Sequence, residues 1–174
     1  MKFTSALLIS TYNWTESLDL VLRSVIDQTQ LPNEILIADD GSCNETQHLI
    51  AVYQQQLFIP LKHIWQEDKG FRKSKILNKV IAASTADYII QVDGDCILHP
   101  KFIEDHIKNV EKGIYLYGSR VNILPNFVTT VIENKLIRFN IFSKEIKNKT
   151  RSLHIPFLSQ LYKYKYCKKS HLSQ

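Results

Sequence analysis

The 174-residue chain is poor in the residues that staple or punctuate a protein: 5 Gly, 5 Pro, 3 Cys and 1 Met. So little Gly and Pro excludes a collagen-like or low-complexity chain. Cys43, Cys96 and Cys167 are odd in number and widely spaced, with no Cys-x-x-Cys pair. That pattern excludes a zinc site of paired cysteines and a disulfide framework, and it points to free thiols in the reducing cytoplasm. No apolar run approaches the roughly 18 residues that a membrane span needs. Met1-Lys2 and the apolar residues 3–9 have the outline of a signal peptide. However, Thr11-Tyr12-Asn13-Trp14 stands where a small-residue cleavage site would follow, so the stretch reads as a first core strand. There is no internal repeat. No Gly-x-Gly-x-x-Gly opens the first helix, which excludes a dinucleotide oxidoreductase of the usual kind.

What is present is a hydrophobic fraction of 44%, enough for one domain with a real core. The net charge of +5 conceals an asymmetry. From Lys135 onward ten Lys and Arg face a single acid, Glu145, whereas the preceding 134 residues carry 12 basic and 16 acidic side chains. The basic end, with its Tyr162-Lys163-Tyr164-Lys165-Tyr166 run, has two readings. It is a surface for an anionic acceptor or an anionic inner membrane leaflet, or it is the solvated end of an interrupted domain. Nucleic-acid binding is not expected, because no recognition-helix or RNA-binding motif accompanies the charge and the front is acidic.

In chain order, apolar runs alternate with helical stripes. Strands are expected at 3–9, 34–38, 61–65 and 88–92. A helix with Leu18, Val21, Leu22, Val25 and Ile26 on one face follows the first, capped by Asn13 or Thr15. Helices at 45–55, 73–83 and 100–110 follow the others. A further strand is expected at 114–121 and an imperfect helical stripe at 128–146. This alternation implies an α/β fold, a mostly parallel Rossmann-like sheet with helices on both faces. Loops after successive strands then share one sheet edge, where such folds bind ligands. That edge collects Thr11-Tyr12-Asn13, Asp39-Asp40, residues 66–72 and Asp93-Gly94-Asp95. Two acids on one turn are hard ligands for a divalent cation, and the glycine permits close approach to the backbone. His99 and His106 read as loop and packing residues rather than metal ligands.

Five stretches carry a resemblance. They are Ser10-Thr11-Tyr12-Asn13 with Leu18, Leu22, Ser24-Val25 and Gln28, then Ile37-Ala38-Asp39-Asp40-Gly41-Ser42, and then Lys69-Gly70-Phe71-Arg72-Lys73 with Leu77-Asn78. Asp93-Gly94-Asp95 and Gly118-Ser119-Arg120-Val121 complete the set. In this order and spacing they resemble the family 2 glycosyltransferases over about residues 3–124. The resemblance implies the GT-A fold, with 1–124 as nucleotide-sugar-binding domain and 125–174 as a basic C-terminal segment. It implies inverting, metal-dependent transfer of a sugar from a nucleoside-diphosphate donor, UDP, to a saccharide or lipid-linked acceptor in cell-surface polysaccharide or lipopolysaccharide synthesis. Thr11, Tyr12 and Asn13 would cradle the base, and Asp39 would accept a uracil ring N–H. Asp40 would contact the ribose or fix the turn. Arg72 and Lys73 would face the diphosphate, Asp93 would hold the ribose or donor sugar or reach the metal through water, and Asp95 would bind Mn²⁺ or Mg²⁺. Inversion needs a general base, which in such proteins comes from an Asp-Glu pair well downstream. After Asp95 the chain offers only Glu104, Asp105, Glu111, Glu133 and Glu145. Glu104-Asp105 sits on the helix just after the motif, so the base is expected to be absent from this chain. The alternative is a catalytically incomplete nucleotide-sugar-binding domain, a fragment or a module that needs a partner.

Overall fold

A computed structural model describes residues 3–152; the Tyr162–Lys169 stretch read above as a charged surface lies outside them. Four parallel strands form the main sheet: β1 (Ser5–Thr11), β2 (Glu34–Asp39), β3 (Leu61–Trp65) and β4 (Tyr88–Asp93), in the order β3-β2-β1-β4. Every residue of β1 and β2 is buried, as a strand covered on both faces requires, and their sequences are accordingly almost uninterrupted apolar runs.

Alternation along the strands feeds two cores. Leu7, Ile9, Ile35, Ile37 and Ile90 face α1 (Thr15–Ile26), α2 (Asn44–Gln56) and α4 (Phe102–Asn109), meeting Leu18, Leu22, Val25, Ile50 and Ile103. Ala6, Leu8, Leu36 and Ala38 face the other way, onto Ile76 and Val80 of α3 (Lys73–Ala83). The mostly parallel α/β architecture read from the sequence is the observed one.

Three local expectations fail. Residues 114–121 join no ladder among the described residues; Tyr115 and Tyr117 are both 83% exposed. Strand propensity is a side-chain preference, and a ladder also needs a partner in register. Here the pairing begins one residue later, where β5 (Asn122–Ile123) runs antiparallel to β6 (Ile146–Lys147). The stripe at 128–146 is helical only over α5 (Val128–Glu133). Lys135 adopts φ +50 and Leu136 N–H returns to Val131 O at 3.0 Å, a left-handed stop. Ile146, the last apolar residue of that stripe, is buried in β6 instead. Finally, α1 has no side-chain cap, and Trp14 is its N-cap residue. Asn13 and Thr15 are spent elsewhere: Asn13 Oδ1 accepts from Cys43 N at 2.9 Å, and the Thr15 hydroxyl bonds that of Thr46 at 3.0 Å.

The segment after β4 docks on α1. Arg138 forks onto Asp27 at 2.9 and 2.6 Å, and Lys135 reaches Asp19 at 2.9 Å. No helix among the described residues is long and apolar enough to cross a membrane.

Candidate functional site

Parallel pairing brings the carboxyl ends of the strands level: Thr11 sits beside Asp39, Ser10 beside Asp93, and Asp39 beside Trp65. At that edge lies a cavity of about 360 Å³. Its wall includes Thr11, Tyr12 and Trp14 from the β1–α1 loop, Asp40, Gly70, Phe71 and Lys73, and Asp93-Gly94-Asp95.

The Asp93-Gly94-Asp95 turn is fixed from two sides. Gly94 N–H donates to Ser10 O at 2.7 Å. A Cβ at Gly94 would stand 2.9 Å from that oxygen, so only glycine fits. Behind the turn lie two buried polar side chains, Ser24 of α1 and Gln28 just past its C-terminus. Ser24 Oγ accepts from Leu98 N at 2.9 Å. Gln28 donates to His99 O at 2.9 Å and accepts from Ile103 N, in the first turn of α4, at 3.1 Å. These bonds explain why two polar side chains are buried here: buried backbone groups need partners.

Asp93 Oδ1 accepts from Ser10 Oγ at 2.9 Å and from Lys73 Nζ at 2.5 Å. The Lys73 bond, against the opposing effect of burial and with help from Ser10, holds this carboxyl below the usual carboxylate range. Asp95 is exposed, and its Oδ1 lies 3.4 Å from Cys96 Sγ. Asp93, Asp95 and Cys96 each bring one ligand atom within 4.8 Å of the others. The two carboxylates fit Mn²⁺ or Mg²⁺, which favour oxygen donors.

The two acids after β2 divide their work. Asp39 is 1% exposed and is not on the cavity wall. Its Oδ1 accepts from Gly41 N at 3.2 Å and Ser42 N at 2.8 Å, and its Oδ2 meets His63 Nε2 at 2.8 Å. Burial pushes its pKa up, but the His63 and Ser42 bonds overcome this and hold it below the ordinary value. The turn-fixing role read as one option for Asp40 is thus filled by Asp39. Asp40 lines the cavity. Its oxygens take Gln66 Nε2 at 2.5 Å and Arg72 N at 2.8 Å, which pins the β3–α3 loop.

Lys73, not Arg72, reaches the cavity. The Arg72 guanidinium turns back to Glu67 O, and among the described residues its buried Nε has no hydrogen-bond partner. Asn13, at φ +45, does not line the cavity; its N–H donates to Ser42 Oγ at 2.9 Å, which joins two loops. Tyr12 lines it with an exposed ring, and its hydroxyl donates to Asp68 Oδ2 at 2.9 Å. Gly41, at φ +106, lies so close that an added Cβ would be 2.6 Å from Asp68 Cα. Sequence reasoning passed over Trp14 and Phe71, 45% and 89% exposed on the wall, and Ser10 beneath Asp93. A large aromatic beside a loop glycine, as in Gly70-Phe71, was the available signal. His106, as read, is a packing residue, 2.8 Å from the Tyr88 hydroxyl and edge-on to Phe102.

Comparison with known proteins gives concordant results. A chondroitin synthase from Pasteurella multocida (strain Pm70) is 26% identical over 127 residues, covering 71% of this chain and 13% of that protein. The mannosyltransferase PcManGT from Pyrobaculum calidifontis, solved with GDP-Man and Mn²⁺, superposes with a TM-score of 0.54 at 17% identity. That match covers 62% of this chain and 32% of the other. S. aureus TarS 1-349, solved with UDP-GlcNAc, gives 0.52 at 20% identity, covering 60% and 30%. The chain therefore has the fold of GT-A transferases and spans less than a third of each of these proteins. The family model for glycosyl transferase family 2 matches residues 6–165. With nearly the whole chain matched and the strand-end loops converging on one acidic cavity, the chain belongs to glycosyl transferase family 2.

Proposed function

We propose that this chain binds a nucleoside-diphosphate sugar, UDP-linked, as the donor half of a metal-dependent, inverting glycosyltransferase. The observation that carries the reading is the cavity itself, whose wall combines the rings of Tyr12, Trp14 and Phe71 with Lys73, Asp93 and Asp95. The Tyr12 and Trp14 rings suit a base. The start of α3, where Lys73 lies, suits a diphosphate, because a helix N-terminus favours anions. Asp95, with Asp93 beside it, would hold the divalent cation. When bound, that ion supplies Lewis-acid stabilisation of charge on the departing nucleoside diphosphate. Lys73 adds a fixed positive charge at the same place. UDP-GlcNAc in S. aureus TarS supports a UDP donor.

The acceptor is a saccharide or lipid-linked saccharide of a cell-surface polymer, in keeping with the chondroitin synthase relative. The eight basic residues from Lys144 on favour peripheral contact with the anionic inner face of a membrane. Calorimetric titration of UDP with and without Mn²⁺, on wild type and Asp95→Ala, tests the donor site. Mn²⁺-dependent affinity lost in the variant is expected; metal-dependent affinity that persists there overturns the assignment. Tighter binding of GDP overturns the choice of UDP.

One observation favours a second reading, a binding module that needs a further segment or partner for turnover. The carboxylates on the cavity wall, among the described residues, are Asp40, Asp93 and Asp95, and Asp40 is consumed by Gln66 and Arg72 N. Glu104 is held by Thr29 and Lys108. None is placed to deprotonate an acceptor.

A further inference from the structure

Asp68 stands outside the cavity wall, and neither the family resemblance nor the proposed reaction gives it a role. Contacts from separate parts of the chain nevertheless converge on it. Its Oδ2 accepts from the Tyr12 hydroxyl at 2.9 Å, and its Oδ1 accepts from Gly70 N–H at 3.1 Å. Its main chain rests on Gly41, where an added Cβ would meet Asp68 Cα at 2.6 Å and Asp68 N at 2.7 Å. Gly41 N–H is itself held by Asp39 Oδ1 at 3.2 Å. Asp40 grips the same loop on either side of Asp68, at Gln66 Nε2 and at Arg72 N. The Asp68 carboxylate is therefore a fixed point, tied to the end of β2. Tyr12 has no such anchorage of its own: it follows the last residue of β1, and it is 52% exposed on the cavity wall. A half-exposed ring samples more than one rotamer unless its far end is held, and the bond to Asp68 holds it.

Resting on the donor-site reading above, we propose that Asp68 is a positioning residue for the nucleobase: by holding the Tyr12 hydroxyl it sets that ring as a stacking face before the nucleotide arrives. A ring left free must be immobilised as the base binds, which weakens affinity about two- to tenfold for one side chain. A ring already held avoids that loss. The bond is made through the hydroxyl, in the plane of the ring, so it does not compete with a base for the ring face. The same arrangement accounts for the glycine at position 41. A side chain there would push the loop outward and carry Asp68 away from Tyr12.

The test is a double-mutant cycle of Tyr12→Phe and Asp68→Ala in the full chain, read by calorimetric titration of UDP with Mn²⁺ present. Both positions are exposed, so the fold is expected to survive, and circular dichroism checks each variant. With Asp68 in place, Tyr12→Phe should weaken UDP binding about two- to tenfold. In the Asp68→Ala background it should change nothing, because the hydroxyl then has no fixed partner. The cycle cancels whatever Asp68→Ala does by itself to charge or to the loop, so a merely structural Asp68 gives no coupling. A coupling below about twofold overturns the proposal; an equal loss from Tyr12→Phe in both backgrounds is that outcome, and means that the hydroxyl acts without Asp68. The wild-type titration separates the two claims. If UDP binds with Mn²⁺ and the coupling is missing, only the role of Asp68 is refuted; if UDP does not bind, the donor-site reading falls and this proposal with it.

Discussion

Replacing Gly94 by Ala tests whether the acidic turn is held by backbone contact with β1. The added Cβ would lie 2.9 Å from Ser10 O and 3.3 Å from Thr11 Cβ and Oγ1. A relaxed C···O contact is about 3.3–3.6 Å, so roughly 0.4–0.7 Å must be found. It must come from main chain, because Ser10 lies in a central strand whose residues are all buried and its carbonyl already accepts the Gly94 N–H at 2.7 Å. Overpacking of this kind costs about 1–3 kcal/mol. With a urea m-value of about 2 kcal/mol per molar, the midpoint falls by about 0.5–1.5 M. Trp14 and Trp65 fluorescence reports the transition. The displaced turn should also weaken Mn²⁺-dependent UDP binding. Gly113→Ala is the control: it carries φ +81 but has nothing within 4 Å of its added Cβ. It should lose about 1–2 kcal/mol to strain alone and leave nucleotide affinity unchanged. Should Gly94→Ala unfold within about 0.5 kcal/mol of wild type and bind UDP normally, the steric argument is refuted.

Lys73→Met should lower UDP affinity with little effect on unfolding, because Lys73 and Asp93 are 34% and 42% exposed and such pairs contribute about 0–1 kcal/mol; unchanged affinity would remove Lys73 from the site. Asp39 titrates below its ordinary 3.8 in the folded chain, so the unfolded carboxylate binds protons first as the pH drops. Its stabilisation is whole above about pH 3.8 and is lost as the pH falls through the folded value, so Asp39→Asn should be less stable at neutral pH and lose less on acidification. Parallel pH profiles from urea unfolding would contradict this. Gln28→Leu strands Ile103 N–H, at about 1–3 kcal/mol for a buried orphan, while His99 C=O keeps the Phe102 N–H at 2.8 Å; a thermal midpoint equal to wild type would show that Ile103 N–H finds another partner.

Much was legible before any tertiary contact was known. The apolar runs and helical stripes placed β1 to β4, α2 and α3 to within a residue or two, and the apolar face of α1, because burial on both faces forces strand sequences into recognisable form. The same pattern named the edge where Asp40, Lys73, Asp93 and Asp95 gather, since parallel crossovers leave every loop at one end. The reading failed past α4, where residues 114–121 have strand-like composition but join no ladder among the described residues, and where Lys135 ends α5 through a left-handed backbone that its side chain does not announce.

The sequence by itself determined the sheet, its helices and the acidic edge, because these follow from periodicity along the chain. Which acid shapes a turn and which faces the cavity was decided only in three dimensions. Asp39 and Asp40 are adjacent and identical in type, yet different side-chain directions send one to His63 on the neighbouring strand β3 and the other to the cavity wall, where it holds Gln66. Arg72 and Lys73 divide in the same way across the start of α3. Periodicity fixes the face on which a residue lies, but the partner its side chain meets depends on register between segments far apart in the chain.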